Sequence, residues 1–77
     1  MARFFFDLHD GADIYLDLEG GELPSLVAAK QEAFSVLLDS MRTRSFDAAV
    51  ETGAMNVRDD TGRVVLIANL SAVCHSL

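Results

Sequence analysis

The first 18 residues constrain the fold most, because apolar and polar side chains alternate on both sides of a glycine turn. Residues 2–18 are predicted to form a β-hairpin around Gly11. Since successive strand side chains point to opposite faces, one face would carry only apolar groups: Phe4, Phe6, Leu8, Ile14, Leu16 and Leu18. The other face would mix charged and aromatic groups: Arg3, Phe5, Asp7, His9, Asp13, Tyr15 and Asp17. The pattern predicts a core on the first face and an unusual surface on the second.

The turn predicts the register of this hairpin. A three-residue loop, His9 to Gly11, would place Gly11 at the position that needs a left-handed backbone. The resulting cross-strand pairs are aromatic, apolar or oppositely charged: Phe4–Leu16, Phe6–Ile14, Phe5–Tyr15 and Arg3–Asp17. The same register sets Asp7 against Asp13, which is unfavourable, and a shift of two residues keeps the faces but changes the pairs.

A second pattern, from residue 25 to about residue 44, predicts an amphipathic helix. Pro24 fixes the preceding turn, and the hydroxyl of Ser25 can accept a free backbone N–H of the first turn as an N-cap. At about 100° per residue, one broad face collects apolar side chains: Leu26, Ala29, Ala33, Phe34, Val36, Leu37 and Met41. Arg42 and Arg44 suit the negative end of the helix dipole.

Residues 55–70 predict a second hairpin, with Gly62 at its left-handed position. Residues 64–67 are apolar on both faces, so we expect an inner strand that is covered above and below. Between the helix and this hairpin, residues 45–53 fit either a helical extension or a packed loop. The tail, residues 71–77, carries no strong signal.

Together these segments predict a single α+β domain over residues 1–77. The element order is ββαββ, with the helix packed on one face of an antiparallel sheet of four strands. Apolar residues make up 51% of the 77-residue chain, which is more than so small an interior can hide. The face of the sheet away from the helix would therefore meet solvent or another chain.

The charge is acidic and unevenly placed. The chain carries a net charge of −6, and residues 1–22 hold six of its 12 acidic side chains against a single base, Arg3. Because phosphate binding needs clustered Lys and Arg, this balance argues against a nucleic-acid partner. It favours a basic protein partner, a loosely held cation or simple solubility.

The cysteine count and the hydropathy of the chain predict the cellular compartment. Cys74 is the single cysteine, so no internal disulfide can form, which favours a reducing environment. Asp7 and Asp10 interrupt the early apolar run, which argues against a signal peptide, and no stretch approaches the length of a membrane span. We therefore expect a cytoplasmic protein without a membrane partner.

Chemical sites are weakly indicated. The acidic end of the hairpin could gather around a cation through Asp7, His9 and Asp13, but no metal-binding spacing supports a designed cage. Cys74 and His75 are adjacent but lack a third orienting group, so no catalytic residue is predicted. We expect no resident metal or cofactor.

The sharper candidate is an interaction surface on the polar face of the hairpin. Phe5 and Tyr15 are aromatic residues flanked by the acids Asp7, Asp13 and Asp17. Aromatic anchors within a polar rim are typical of protein interfaces. The alternative is that this face packs against the chain's own C-terminal tail.

Four motifs, in order, carry a family resemblance. They are residues 3–11 (RFFFDLHDG), 17–24 (DLEGGELP), 28–33 (AAKQEA) and 57–64 (VRDDTGRV). Together they resemble, over residues 3–70, a family of small alphaproteobacterial, often rhizobial, proteins defined as a domain of unknown function. The resemblance implies no activity, cofactor or catalytic residue. More loosely, the layout is similar to the N-terminal part of HicB-type antitoxins, without their proline-rich approach to the helix or an appended DNA-binding domain.

These observations favour a non-enzymatic protein-interaction module that self-associates as a homodimer or docks a basic partner. Two alternatives from other classes stay open. One is an antitoxin-like regulator that neutralises a small basic protein, and the other is a small metal-responsive protein or enzyme.

Overall fold

The computed structural model describes residues 1–42, 50–75 and 77. In chain order the elements are β1 (Ala2–Asp10), β2 (Asp13–Tyr15), β3 (Gly21–Leu23), α1 (Leu26–Arg42), β4 (Val50–Arg58) and β5 (Val64–Val73). The predicted α+β class, with one helix against one antiparallel sheet, is confirmed. The sheet has five strands rather than four, because β3 adds a short pairing to β1.

The strand order is β2-β1-β4-β5, and all pairs are antiparallel. β3 pairs with the start of β1, from Ala2 to Phe4, while β2 pairs with its end, from Leu8 to Asp10. β2 and β3 therefore follow one another along the same edge of β1. Within the described residues, β5 pairs with β4 alone and forms the opposite edge of the sheet.

The first hairpin differs from its predicted register. β1 and β2 pair as Leu8–Tyr15, His9–Ile14 and Asp10–Asp13. The predicted pairs are therefore wrong: Phe4–Leu16, Phe6–Ile14, Phe5–Tyr15, Arg3–Asp17 and Asp7–Asp13. The turn is tighter than predicted, because residues 11 and 12 alone connect the strands, although Gly11 does have the expected positive φ, 61°.

This change of register is an odd number of residues, so it reverses the faces of β2. Tyr15 lies on the face of Leu8, towards the helix, whereas Ile14 lies on the face of His9. β2 also ends at Tyr15, and Leu16 and Leu18 are exposed loop residues rather than strand residues. The predicted strand parity is correct for β1 and wrong for β2.

The helix begins as predicted. The hydroxyl of Ser25 accepts the N–H of Ala28 at 3.1 Å, which is an N-cap bond. The buried side of α1 is narrower than predicted and consists of Ala29, Ala33, Leu37 and Met41. Leu26, Phe34 and Val36 are exposed instead. The helix is described to Arg42, and the predicted end at residue 44 lies outside the described residues.

The core lies between α1 and one face of the sheet, which we call the helix face. Its buried members are Phe4, Ala29, Ala33, Leu37, Met55, Val57 and Ala68. Phe6 and Leu8 pack against this cluster, so the apolar parity predicted for residues 4, 6 and 8 is confirmed. The opposite side of the sheet, which carries Phe5 and Asp7, is called the outer face.

The second hairpin is longer than predicted. Gly62 has the expected positive φ, 86°, but the strands extend from Val50 to Val73. Residues 50–53 are strand rather than helix or packed loop, residues 71–73 of the predicted tail belong to β5, and residues 45–49 lie outside the described residues. The prediction of an inner strand at residues 64–67 is wrong, because β5 is an edge strand and Ile67 is 63% exposed. No helix of the described chain is long and apolar enough to span a membrane.

Candidate functional site

A partly buried ion pair, between Asp7 and Arg58, lies at the centre of the surface that the sequence pattern indicates as unusual. Asp7, on the outer face of β1, is only 4% exposed. Its carboxylate accepts bonds from Nε of Arg58 at 2.6 Å and from Nη2 of the same residue at 3.1 Å. This two-point geometry is the strong form of a carboxylate–guanidinium contact. It fixes the end of β4 across β1, between residues 51 positions apart in the chain.

Asp17 completes this arrangement on the edge of β1, between β2 and β3. Its carboxylate accepts the backbone N–H groups of Phe6, Glu19 and Gly20, at 3.0 to 3.2 Å. Its own backbone N–H donates to Asp7, and its carbonyl accepts a bond from Arg58. The loop between β2 and β3 is therefore closed onto β1 by side-chain bonds where no strand pairs with it.

The electrostatics follow from these contacts. The hydrogen bond from Arg58 is the main reason that the pKa of Asp7 is lowered, in spite of burial, and the same bond raises the pKa of Arg58. Burial alone would raise the pKa of Asp17, but the backbone donors Gly20, Phe6 and Glu19 outweigh it and lower the pKa. Both acids are therefore held as carboxylates by the fold.

Phe5 and Tyr15 do not form one surface. Phe5 is half-buried on the outer face, where the Arg58 guanidinium carbon lies 5.0 Å from the centroid of its ring. Tyr15 is 57% exposed on the helix face of β2. Of the predicted acidic rim, Asp7 and Asp17 are occupied by internal bonds, and Asp13 is exposed in the turn. The predicted anchors and rim are thus distributed over different parts of the molecule.

The weak metal candidates are also separated. Asp7 is bound to Arg58, while Asp13 lies opposite Asp10 at the end of the hairpin and His9 lies opposite Ile14. Among the residues that the structure describes, no group of three or more His, Cys, Asp or Glu side chains is placed to hold a metal ion.

The exposed apolar side chains are concentrated elsewhere. Val27, Phe34 and Leu38 are 65%, 41% and 48% exposed, and they fall within about 40° of one another around the helix. We call these three residues the helix ridge. Leu38 lies beside β5, where it lines a groove of about 330 Å³. The other lining residues are Met41, Arg42, Leu70, Ser71 and Ala72. The helix ridge therefore follows the side of α1 that is nearest to β5.

β5 itself has the features of an unprotected edge. It extends over ten residues, and residues 64–77 contain no Asp, Glu, Lys, Arg or Pro. Edge strands usually carry charges or proline because their free backbone groups can pair with another chain. Val64, Ile67 and Val73 are 46%, 63% and 57% exposed along this strand. We call the free side of β5, together with the helix ridge above it, the β5 surface.

A further cleft, of about 480 Å³, lies between the helix and the start of the sheet. Its two carboxylates belong to Asp17 and Glu32. Asp17 is occupied by its three backbone donors, and Glu32 is exposed. The cleft therefore offers no pair of titratable groups poised for proton transfer.

Sequence reasoning missed Arg58 and the β5 surface. A base at the end of the strand segment Met55-Asn56-Val57 is a visible signal for Arg58, but its partner depends on β4 lying beside β1. The charge-free stretch after Arg63 was equally visible. Its apolar side chains predict an inner strand, whereas they lie at an edge of the sheet.

Comparison with models of known protein families shows which family the chain belongs to. The model of a domain of unknown function (DUF6894) matches residues 3–71. The chain belongs to this family. Membership in DUF6894 confirms the resemblance to a family of unknown function, and it brings no activity, ligand or site residue. The search of curated proteins and the search of solved structures each returned no match.

Proposed function

We propose that the domain is a non-enzymatic protein-interaction module that docks through the β5 surface. The observation that carries this proposal is the coincidence of an uncharged ten-residue edge strand with an apolar ridge on the neighbouring side of the helix. Strand addition to an open edge supplies backbone hydrogen bonds, and apolar side chains next to it supply burial. The β5 surface offers both.

The outer face is a weaker docking site than its composition suggests. Asp7 is buried against Arg58, and Phe5 lies half-buried beneath the same guanidinium. A basic partner would have to compete with Arg58 for Asp7 and with three backbone donors for Asp17. We therefore interpret these outer-face residues as groups that stabilise the fold, and we propose the β5 surface as the docking site instead.

The experiment compares what three immobilised forms of the chain retain from an extract of the native host. The forms are the wild type, a variant of the β5 surface (Leu38→Ser with Ile67→Ser) and a matched variant of exposed apolar residues elsewhere (Tyr15→Ser with Leu18→Ser). All four substituted side chains are 48% to 84% exposed, so each variant is expected to fold.

The expected result is a protein, either this chain or another, that the wild type and the matched variant retain and the β5-surface variant loses. Quantitative mass spectrometry of the eluates measures this difference. An identical retained set on all three forms would overturn the proposal, because docking would then not depend on the β5 surface.

A further inference from the structure

We infer that the β5 surface is occupied by a second copy of this chain, through antiparallel pairing of β5 with β5 about a two-fold axis at Asn69. The inference rests on the proposed function, because it names the partner of the same surface. It adds the identity of the occupant and the register of the contact.

Charge selects the occupant. Each copy carries a net charge of −6, so two copies repel one another wherever their acids meet. β5 lies within the longest stretch of the chain that is free of Asp, Glu, Lys and Arg, residues 64–77. A basic partner would find no countercharge along this strand, whereas β5 of a second copy meets it without any like-charge pair.

The register follows from parity and from the regular part of the strand. Leu66, Ala68 and Leu70 lie opposite Val57, Met55 and Gly53 on the helix face. A two-fold axis perpendicular to the sheet keeps both helices on the same side, so paired residues must share a face. β5 extends from Val64 to Val73, and its regular pairing with β4 runs from Leu66 to Val73 because Val65 is left unpaired at an irregularity. Asn69 lies between the midpoints of these two runs, so we place the axis there.

The helix ridge fits this arrangement. The two-fold axis that pairs the β5 strands brings both helices to one side of the joined sheet, each with its ridge directed towards the axis. Val27, Phe34 and Leu38 of one copy then face the same residues of the other. An exposed apolar ridge next to an open edge is thereby covered by its own symmetry mate.

The area is sufficient for a reversible dimer. A strand edge about 34 Å long and about 10 Å deep, with a ridge about 16 Å long above it, gives on the order of 500 Å² per copy. About 1,000 Å² in total is the lower end of the range for specific interfaces. We therefore expect a dimer that dissociates on dilution through the micromolar range.

Cysteine cross-linking tests both the occupant and the register. In a Cys74→Ser background, Asn69→Cys places two thiols opposite one another at about 5 Å between Cα atoms, within disulfide reach. The native Cys74 is an exposed free thiol one residue beyond β5. In the antiparallel register its two copies lie about 34 Å apart, at opposite ends of the paired strands. Leu18→Cys in the same background is the control for random collision, because Leu18 is 84% exposed outside β5.

The expected result is a disulfide-linked dimer with Asn69→Cys that forms about tenfold or more faster than with Leu18→Cys or with native Cys74, since paired thiols have a high effective concentration. Light scattering of the wild type should show a mass that rises towards the dimer with concentration. Equal cross-linking rates, or a monomer at all concentrations, would overturn the inference. If the chain is a monomer but its β5 surface still determines which protein the immobilised chain retains, the proposed function stands and only the dimer is excluded. If the chain is a monomer and all three immobilised forms retain the same proteins, both the dimer and the proposed function are excluded.

Discussion

The two edges of the sheet are built in opposite ways. The edge of β1 carries two short strands and, between them, a loop whose backbone is bound by the carboxylates of Asp7 and Asp17. The edge of β5 is ten residues long and without charge. The first edge is closed by the chain's own side chains, and the second has no such device within the described residues. The contrast teaches that acidic residues close one edge of this domain, while apolar residues leave the other available.

The largest expected effect comes from opening the closed edge at Asp7. Asp7→Ala leaves the Arg58 guanidinium and the Asp17 N–H without their buried acceptor, so we expect a loss of about 3 kcal/mol in the free energy of unfolding. Urea denaturation measures this loss. Asp13→Ala is the matched control, because Asp13 is exposed, and it should change the free energy by no more than about 0.5 kcal/mol. Equal effects of the two substitutions would mean that the Asp7 pair does not hold this edge.

The next largest loss of stability is expected for Gly20→Ala, and Gly11→Ala is its control. Both glycines have positive φ, 70° and 61°. A Cβ on Gly20 would lie 2.8 Å from the Phe4 carbonyl oxygen and 2.9 Å from the Phe5 ring, whereas a Cβ on Gly11 meets nothing within 4 Å. Gly11→Ala should therefore cost about 1 kcal/mol for its backbone conformation alone, and Gly20→Ala about 2 to 3 kcal/mol. Thermal unfolding of the two variants checks the order, and a larger loss for Gly11→Ala would contradict the close packing of the closed edge.

The next prediction concerns the open edge, where a charge introduced on β5 should weaken self-association. Ile67→Asp adds a carboxylate to an exposed position of β5, so the monomer should lose no more than about 0.5 kcal/mol. Its self-association should weaken about tenfold or more, because charged edges resist pairing. Sedimentation or light scattering across a concentration series measures the dissociation constant. Leu18→Asp is the matched control, and a similar weakening by both variants would show that net charge, rather than the edge, governs association.

The smallest effect is the pH dependence of the closed edge. The folded chain lowers the pKa of Asp7 and of Asp17 below the ordinary value of 3.8. Groups with a depressed folded pKa contribute stability that is complete above the unfolded pKa and lost as pH falls through the folded pKa. The free energy of unfolding should therefore be level down to about pH 5 and fall below about pH 4. Asp7→Asn should flatten this fall, which urea titrations at a series of pH values measure.

The elements that sequence predicts well are the ones whose signals are local. The alternation of Phe4, Phe6 and Leu8, the Ser25 cap and the positive φ of Gly62 depend on neighbours within a few residues. The predicted register of the first hairpin is wrong because the chain makes a tighter turn at residues 11–12 and Asp17 binds β1 through its side chain. The alternation of apolar and polar residues encodes neither feature.

The candidate site was less predictable than the fold. The acids of the first hairpin resemble a partner surface in the sequence, because their internal acceptor role depends on Arg58, which lies 51 positions further along the chain. The prediction of an inner strand at residues 64–67 is wrong because apolar side chains on both faces do not distinguish a covered strand from an open edge. In both cases the missing information is which strands are neighbours.

The long separation between Asp7 and Arg58 also orders events during synthesis. β1 leaves the ribosome before α1, yet β4, which supplies its guanidinium, is made only after the helix. Until then the Asp7 carboxylate has to stay hydrated, because burying it without a cation is costly. Chains that stop before residue 58 cannot complete this edge of the sheet, and we expect proteases to remove them because the core side of α1 stays exposed. The ion pair between Asp7 and Arg58 therefore closes the first edge of the sheet only late in synthesis, once β4 has been made.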